Sequence, residues 1–143
     1  MNNKSLILLS FIFFTLISCK DNSLNSNQSD CDQKIIINNS LYKNSPNDIF
    51  EFINVEIENN CIIILIEYGG GCGEVEFKLI DSEIVAKSNP PQRDIRLSFK
   101  DDDDCEALIR KEITFDLTPI QIVGTNKVYL NILNWDKGIL YTY

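Results

Sequence analysis

Apolar and polar residues alternate with a period of two along most of this chain, and the pattern predicts β-strands rather than helices. Every second side chain of a strand reaches the same face, so each such segment has one face for a core and one for solvent. Five segments show the alternation through apolar residues at Ile53, Val55 and Ile57; Val75, Phe77 and Leu79; Ile95, Leu97 and Phe99; Ile113, Phe115 and Leu117; and Val128, Leu130 and Ile132. The pattern therefore favours an all-β protein.

Turn-forming stretches separate these segments at residues 45–48, 69–73, 89–91, 101–105 and 124–126. Short strands at a spacing of roughly ten residues are typical of sandwiches and small barrels. Residues 61–66 are apolar on both faces, which predicts a central strand that is fully covered. Residues 48–53 are a possible helix, and residues 106–111 a possible helical turn. We expect a small antiparallel sandwich or barrel of about eight strands.

The N-terminus has the pattern of an exported protein. Residues 1–4 are polar and include Lys4, and residues 6–17 form an apolar run interrupted by Ser10 and Thr15. This run is a signal-peptide core, because a membrane-spanning helix needs about 20 apolar residues. We predict that residues 1–18 are a signal peptide and not a transmembrane helix.

The end of this segment, Leu16-Ile17-Ser18-Cys19, resembles the lipobox of bacterial lipoproteins. In that family the cysteine accepts lipid and becomes the new N-terminus, so the resemblance implies that Cys19 carries acyl chains such as palmitate. Two or three chains anchor a protein almost permanently. The expected location is the cell envelope. If the bacterium is Gram-negative, this is the outer membrane, with the domain facing the periplasm or the surface. The alternative is an ordinary signal peptide that is cleaved near a cysteine.

The chain after Cys19 divides into a tether and one domain. Residues 20–30 are polar except for Leu24, a composition typical of disorder. We predict a lipidated, disordered tether over residues 19–30 and a single β domain over residues 31–143. Removal of residues 1–18 leaves 125 of the 143 residues, which is enough for one domain.

The domain is acidic. Without residues 1–18 the chain has 12 basic and 21 acidic residues, a formal charge of −9, and no histidine. This charge disfavours nucleic acid and anionic lipid as partners and favours cations or basic proteins. Gly69, Gly70 and Gly71 are not followed by the Lys-Ser/Thr pair of a phosphate-binding loop, so no nucleotide site is predicted.

Four cysteines remain once Cys19 is assigned to lipid, namely Cys31, Cys61, Cys72 and Cys105. An even number in an oxidising compartment predicts disulfides, and four cysteines allow three pairings. Because Cys72 and Cys105 both lie in loop-like stretches, we favour Cys72–Cys105 and Cys31–Cys61, each worth about 2–4 kcal/mol. A zinc site is the alternative, but it lacks a CxxC pair and any histidine.

The C-terminal part of the chain carries a further resemblance. Its segments are Gly70-Gly71-Cys72, Asp104-Cys105 and Phe115-Asp116-Leu117-Thr118. Together they resemble an uncharacterised group of small exported lipoproteins with Gly-Gly-Cys, Asp-Cys and Phe-Asp-Leu-Ser/Thr segments. The resemblance covers about the last 80 residues of the sequence. It implies an all-β fold and the Cys72–Cys105 pairing, and no activity.

Acidic side chains are the candidates for a metal site. The run Asp101, Asp102, Asp103 and Asp104 with Glu106 concentrates carboxylates in one turn, and Ca²⁺ prefers oxygen ligands. The run lacks the glycine and glutamate spacing of an EF-hand loop. A solvated acidic turn is the main interpretation, Ca²⁺ is the alternative, and no other cofactor is predicted.

Catalysis finds little support in the sequence. Serine or cysteine nucleophiles lack a histidine base. Paired carboxylates for a hydrolase are conceivable among Glu67, Glu74, Glu76 and Asp116, but scattered acids on strands usually form a solvated face. A late aromatic group either fills the core or binds a sugar or protein, and consists of Tyr129, Trp135, Tyr141 and Tyr143.

These observations favour a membrane-anchored envelope lipoprotein that is a non-enzymatic binding module for a protein or glycan. The alternatives are a small carboxylate-dependent envelope hydrolase and an inhibitor of a basic secreted enzyme such as lysozyme.

Overall fold

A computed structural model of the protein describes residues 31–102 and 104–143. The predicted signal peptide 1–18, the predicted tether 19–30 with its lipidated Cys19, and Asp103 lie outside the described residues. No helix within the described ranges is long and apolar enough to cross a membrane.

The described chain consists of nine strands, one short α-helix and one 3₁₀ turn. The strands are β1 (Gln33–Lys34), β2 (Ile36–Ile37), β3 (Glu51–Glu58), β4 (Cys61–Gly70), β5 (Val75–Ala86), β6 (Gln92–Asp101), β7 (Ala107–Asp116), β8 (Lys127–Ile132) and β9 (Ile139–Thr142). The helix α1 spans Asn39–Asn44 and the 3₁₀ turn Thr118–Ile120.

The strands form two sheets that pack together, with orders β1-β7-β4-β3 and β2-β5-β6-β8-β9. One cluster of buried apolar side chains from both sheets fills the space between them. At its centre the rings of Phe77 and Phe99 stack with centroids 4.8 Å apart, and Tyr68 from the other sheet lies 4.9 Å from Phe99. The predicted disulfide-braced all-β sandwich is confirmed.

Both sheets are mixed, whereas the sequence predicted antiparallel ones. The pairs β1/β7, β2/β5 and β6/β8 are parallel, and the pairs β3/β4, β4/β7, β5/β6 and β8/β9 are antiparallel. The parallel pairs arise because the chain changes sheet between the two strands. For example, it leaves β6, crosses to the other sheet for β7, and returns as β8 in the same direction as β6.

The N-terminal segment closes one side of the sandwich. β1 pairs with β7 of the first sheet, and β2, two residues later, pairs with β5 of the second. Between them Ile35 is buried in the core, and its N–H donates to the carbonyl of Asp116. The closure is partial, because the segment pairs with only two residues of β7 and two of β5, and the remaining edges of these strands line a hollow of about 440 Å³.

The outer face of the second sheet is covered by α1 and the loop after it. Arg96 and Ser98 point away from the core, and both are buried. The Arg96 guanidinium donates to the carbonyls of Tyr42, Ser45 and Pro46 at 2.6–3.1 Å. Cation donors near the last carbonyls of a helix satisfy groups that have no partner within the helix.

The helix predicted at residues 48–53 and the helical turn predicted at residues 106–111 are not found at those positions. Residues 51–58 are β3 and residues 107–116 are β7, and both pair with β4, so sheet hydrogen bonds override a weak local helix preference. The helix that forms, α1, begins after Asn38, whose side chain accepts the N–H of Leu41 at 2.8 Å. An asparagine N-cap of this kind is a local signal that the strand periodicity hid.

β4 is an interior strand, as predicted, with β3 and β7 beside it. Its inward residues Ile62, Ile64 and Ile66 are completely buried. Its outward residues Ile63 and Leu65 are only partly buried, so the prediction of complete cover on both faces was wrong. No element of the described chain covers them as α1 covers the other sheet.

The two disulfides join Cys31 to Cys61 and Cys72 to Cys105, with Cα atoms 5.7 and 5.9 Å apart. These are the favoured pairings. The first secures the start of the domain to the first residue of β4. The second links the loop after β4 to the loop before β7 at the other end of that strand.

Candidate functional site

The side of the sandwich opposite the N-terminal segment is open, because β3 and β9 are the edge strands of their sheets. A cleft of about 460 Å³ lies here, between residues 47–52 and the turn 134–136. Its size is within the usual range for small-molecule sites and is also enough for a few side chains of a partner. We consider this cleft the candidate functional site.

Aromatic rings form the wall of the cleft. The Trp135 ring lies 5.7 Å from that of Phe52, and Phe50 packs against Phe52 at 5.0 Å and against Phe99 of the core at 5.9 Å. Asn134 has a φ of 66°, a left-handed conformation that asparagine tolerates better than most residues. This sharp turn after β8 directs Trp135 towards Phe52.

Trp135 is held by packing. Its indole N–H is buried and has no hydrogen-bond partner among the described residues. The Lys137 ammonium lies 5.7 Å from the centre of the ring, within the range of a cation–π contact. Trp135 is also the single tryptophan of the protein, so its fluorescence reports on this cleft alone.

A smaller hollow of about 220 Å³ adjoins the cleft and shares Ile49, Phe50 and Glu51 with it. Ile49 forms the ridge between the two and is 91% exposed, and Leu108 on the far wall is 70% exposed. Large apolar side chains that are this exposed and this close to each other are typical of a protein-binding surface.

The charged side chains that line the two hollows are all acidic, and they are Asp48, Glu51, Glu67 and Asp136. Glu51 and Glu67 occupy directly opposite positions on β3 and β4, an unfavourable arrangement for like charges. Arg110 balances Glu67 through a 2.6 Å ion pair, and Glu51 has no basic partner among the described residues. The site therefore has negative charge that the domain itself does not neutralise.

A second group of charged residues is closed to solvent on the inner face of the second sheet, where Asp81 lies opposite Ile95 and Arg93 opposite Leu130. Asp81 is fully buried, and its Oδ1 accepts from Arg93 Nη1 at 2.7 Å and from the Glu83 N–H at 2.8 Å. Burial raises the pKa of Asp81, and the nearby Arg93 guanidinium opposes this shift. Neither residue lines the cleft or the smaller hollow, so we assign the pair a structural role.

The aspartate run does not form a recognisable metal site. Among residues 31–102 and 104–143, no three acidic, cysteine or histidine side chains come together to hold an ion. Asp102 pairs with Lys100, and the Asp101 N–H donates to the Asp48 carboxylate at 2.8 Å. Asp104 and Glu106 follow in the same loop, and Asp103 lies outside the described residues. Calcium binding stays a prediction.

The four carboxylates considered for a hydrolase do not converge. Glu67 and Glu76 point outward from different sheets, each in an ion pair, with Arg110 and Lys78 respectively. Asp116 is buried and accepts the Thr118 N–H at 2.9 Å. Glu74 is exposed before β5. Two carboxylates for glycoside chemistry must flank one bond, which this distribution does not provide.

The late aromatic residues separate into two groups. Tyr141 is completely buried and its hydroxyl donates to Asn60 at 2.7 Å, while the Tyr143 ring lies 4.9 Å from that of Tyr141. Tyr129 is partly buried beside Gly138. Trp135 alone lines the cleft, and Phe50 and Phe52, which join it there, lie more than 80 residues away in the sequence. Sequence reasoning missed them because residues 48–53 were interpreted as a possible helix, and nothing in the sequence indicates that this segment lies beside Trp135.

No family model matches the chain, and no curated protein matches it. Solved structures with a similar fold include a protein of unknown function, DUF1344, from Bacteroides vulgatus, with a TM-score of 0.55 and 11% identity. They also include a toxin-related protein from Parabacteroides distasonis, with a TM-score of 0.50 and 18% identity. Each comparison covers 78% of this chain, which spans 56% and 59% of those proteins. At these identities the likeness shows the fold alone.

Proposed function

We propose that the protein is a lipid-anchored, non-enzymatic binding module of the cell envelope, and that its ligand site is the cleft whose wall Phe50, Phe52 and Trp135 form. The observation that carries the proposal is the joint exposure of aromatic and apolar side chains beside acids that lack basic partners. A buried core does not need such a surface, whereas a recognition site does. The scattered carboxylates and the absence of histidine from the sequence favour binding over hydrolysis.

The position of the cleft suits a tethered protein. The proposed tether would enter the domain at Cys31, which is bonded to Cys61 at the beginning of β4. The smaller hollow is lined by Glu67, Tyr68 and Gly69 near the end of the same strand. Seven residues of strand correspond to about 23 Å. The ligand site would therefore lie at the end of the domain that is remote from the membrane anchor.

The binding site is tested through the fluorescence of Trp135. The full-length Cys19→Ala protein is titrated with two panels of probes. One panel consists of neutral β-linked oligosaccharides, and the other consists of short peptides, some basic and some acidic. We expect a saturable change with one panel, which Phe52→Ala reduces by about tenfold in affinity. Tyr143→Phe, which alters an aromatic residue outside the cleft, is the control. No response to either panel at millimolar concentration would contradict the proposed function.

The anchor is tested separately by growing cells with radiolabelled palmitate. We expect the wild type to be labelled and Cys19→Ala to carry no label and to be released from the membrane fraction, because the acyl chains provide the membrane affinity. The variant Cys31→Ser/Cys61→Ser should keep its label, since those thiols are in a disulfide. Label that persists in Cys19→Ala would show that the lipobox assignment is wrong.

A further inference from the structure

We propose that the free edge of β3 accepts an extended segment of a partner protein in which basic residues alternate with apolar ones. This inference rests on the proposed function, since it names the partner of the same site. β3 has eight residues and pairs only with β4, so its other edge presents unpaired main-chain groups along the open side of the sandwich. Strand addition to an exposed sheet edge is a common mode of peptide recognition.

The two faces of β3 differ, and they define what the added strand must carry. Its outward side chains include Glu51, Glu56 and Glu58, all exposed, and no base is present in the strand. On an added strand, the residues opposite these glutamates would be lysine or arginine, because opposite charges on neighbouring strands attract. The register shift between Phe52 and Asn54 leaves the glutamates on one face.

The inward face of β3 favours apolar residues at the inward positions of an added strand. Phe52, Val55 and Ile57 alternate with the glutamates and point to the core, and Phe52 contacts Trp135 in the wall of the cleft. Inward side chains of an added strand would lie beside this aromatic wall and cover it. The partner sequence is therefore a basic amphipathic strand, with cations towards solvent and apolar side chains towards Trp135.

Charge also distinguishes this partner from a second copy of the chain. Two copies of β3 paired edge to edge would bring six glutamates together with no base between them, and like charges on paired strands repel. A basic strand of another protein would pair with the free edge of β3 and would also neutralise its glutamates.

The test uses an eight-residue peptide of alternating Lys and Val, blocked at both ends, with the full-length Cys19→Ala protein. The Lys-Val peptide is expected to bind saturably and to change Trp135 fluorescence, and the matched Glu-Val peptide is not. Two further peptides carry N-methyl groups, one on every Lys and the other on every Val. Edge pairing predicts that one of the two loses binding and the other keeps it, because alternate N–H groups face β3.

Matched protein variants locate the site. Glu56→Gln/Glu58→Gln should weaken the Lys-Val peptide by about tenfold, from the loss of two cross-strand charge pairs. Glu74→Gln/Glu76→Gln removes the same charge just before β5 and at its beginning, on the other sheet, and should change affinity by less than about twofold. All four glutamates are exposed, so thermal unfolding is expected to confirm that both variants fold.

The outcomes separate this inference from the proposed function. Equal binding of both N-methylated peptides, or no effect of Glu56→Gln/Glu58→Gln, would overturn the β3 edge as the site. A response to oligosaccharides without a response to the Lys-Val peptide would overturn the basic partner and leave the binding module intact. A response to neither panel would contradict both.

Discussion

Replacement of Arg93 by methionine is expected to lower the free energy of unfolding by about 3–5 kcal/mol at neutral pH. Arg93 is the cation that contacts the fully buried Asp81, at 2.7 Å, and it is itself only 12% exposed. Without it the carboxylate keeps the N–H of Glu83 as a donor, which does not compensate a buried charge. Denaturant unfolding at several pH values measures the loss.

The pH dependence identifies Asp81 as the cause. Burial raises the pKa of Asp81 above its ordinary value of 3.8, and Arg93 opposes the shift, so the variant should have a still higher pKa. A carboxyl with a raised pKa in the folded state binds its proton more tightly there than in the unfolded state. Its stabilising contribution is present below 3.8 and is lost as the pH rises through the folded pKa. The destabilisation by Arg93→Met should therefore shrink as the pH falls towards 4.

Two controls accompany the variant. Arg110→Met breaks the ion pair with Glu67, but Arg110 is 68% exposed, so the expected loss is below about 1 kcal/mol. Asp81→Asn in the Arg93→Met background removes the buried charge and should recover much of the stability. A loss that is the same at pH 4 and pH 7 would contradict a role for the Asp81 charge.

Loss of the Cys31–Cys61 disulfide in Cys31→Ser/Cys61→Ser should cost at least about 3–4 kcal/mol. The two cysteines are 30 residues apart, and a loop of this length gives that value from unfolded-state entropy alone. In the folded state the disulfide also holds the segment that leads into β1 and Ile35, which closes one side of the sandwich. We therefore expect an additional loss from the opening of that side.

The other disulfide provides the matched comparison. Cys72 and Cys105 are 33 residues apart, so the entropy terms of the two loops differ by only about 0.1 kcal/mol. Loss of the Cys72–Cys105 disulfide frees two loops at the end of the sheet. Loss of the Cys31–Cys61 disulfide instead frees the segment that leads into β1 and bridges the two sheets. Unfolding in denaturant should rank Cys72→Ser/Cys105→Ser as the more stable of the two double variants. Equal stability would show that the closure at Ile35 does not depend on Cys31.

Several features of the fold could be predicted from local pattern. The alternation around Ile95, Leu97 and Phe99 identified both the strand and its core face, because a strand places every second residue on one face whatever its neighbours are. The even number of cysteines predicted disulfides, and the loop-like surroundings of Cys72 and Cys105 predicted their pairing. Each of these inferences depends on the immediate sequence surroundings of a residue, even where, as for Cys72 and Cys105, the two partners are 33 residues apart.

The candidate site could not be predicted in this way. Phe52 was predicted to lie in the possible helix 48–53, and Trp135 was one of the late aromatic residues, with nothing to indicate that the two rings meet. Glu51 was one of many scattered acids until pairing placed it opposite Glu67. Arg96 had the pattern of an exposed strand residue, and it is buried because α1 and the loop after it cover that face.

The sequence by itself therefore determined the all-β class, most of the strand segments and of the side chains that form the core, and an acidic surface. Ile53 is an exception, because the register shift in β3 leaves it 40% exposed. Only the tertiary structure decided that three strand pairs are parallel, that Ile35 closes one side of the sandwich, and that Phe52 and Trp135 line a cleft on the other. The physical reason is the distance along the sequence between the residues that decide each feature. Periodicity follows from the geometry of a single strand, whereas edges, covers and clefts depend on which distant strands pair, and that pairing is set by the energy of the whole core.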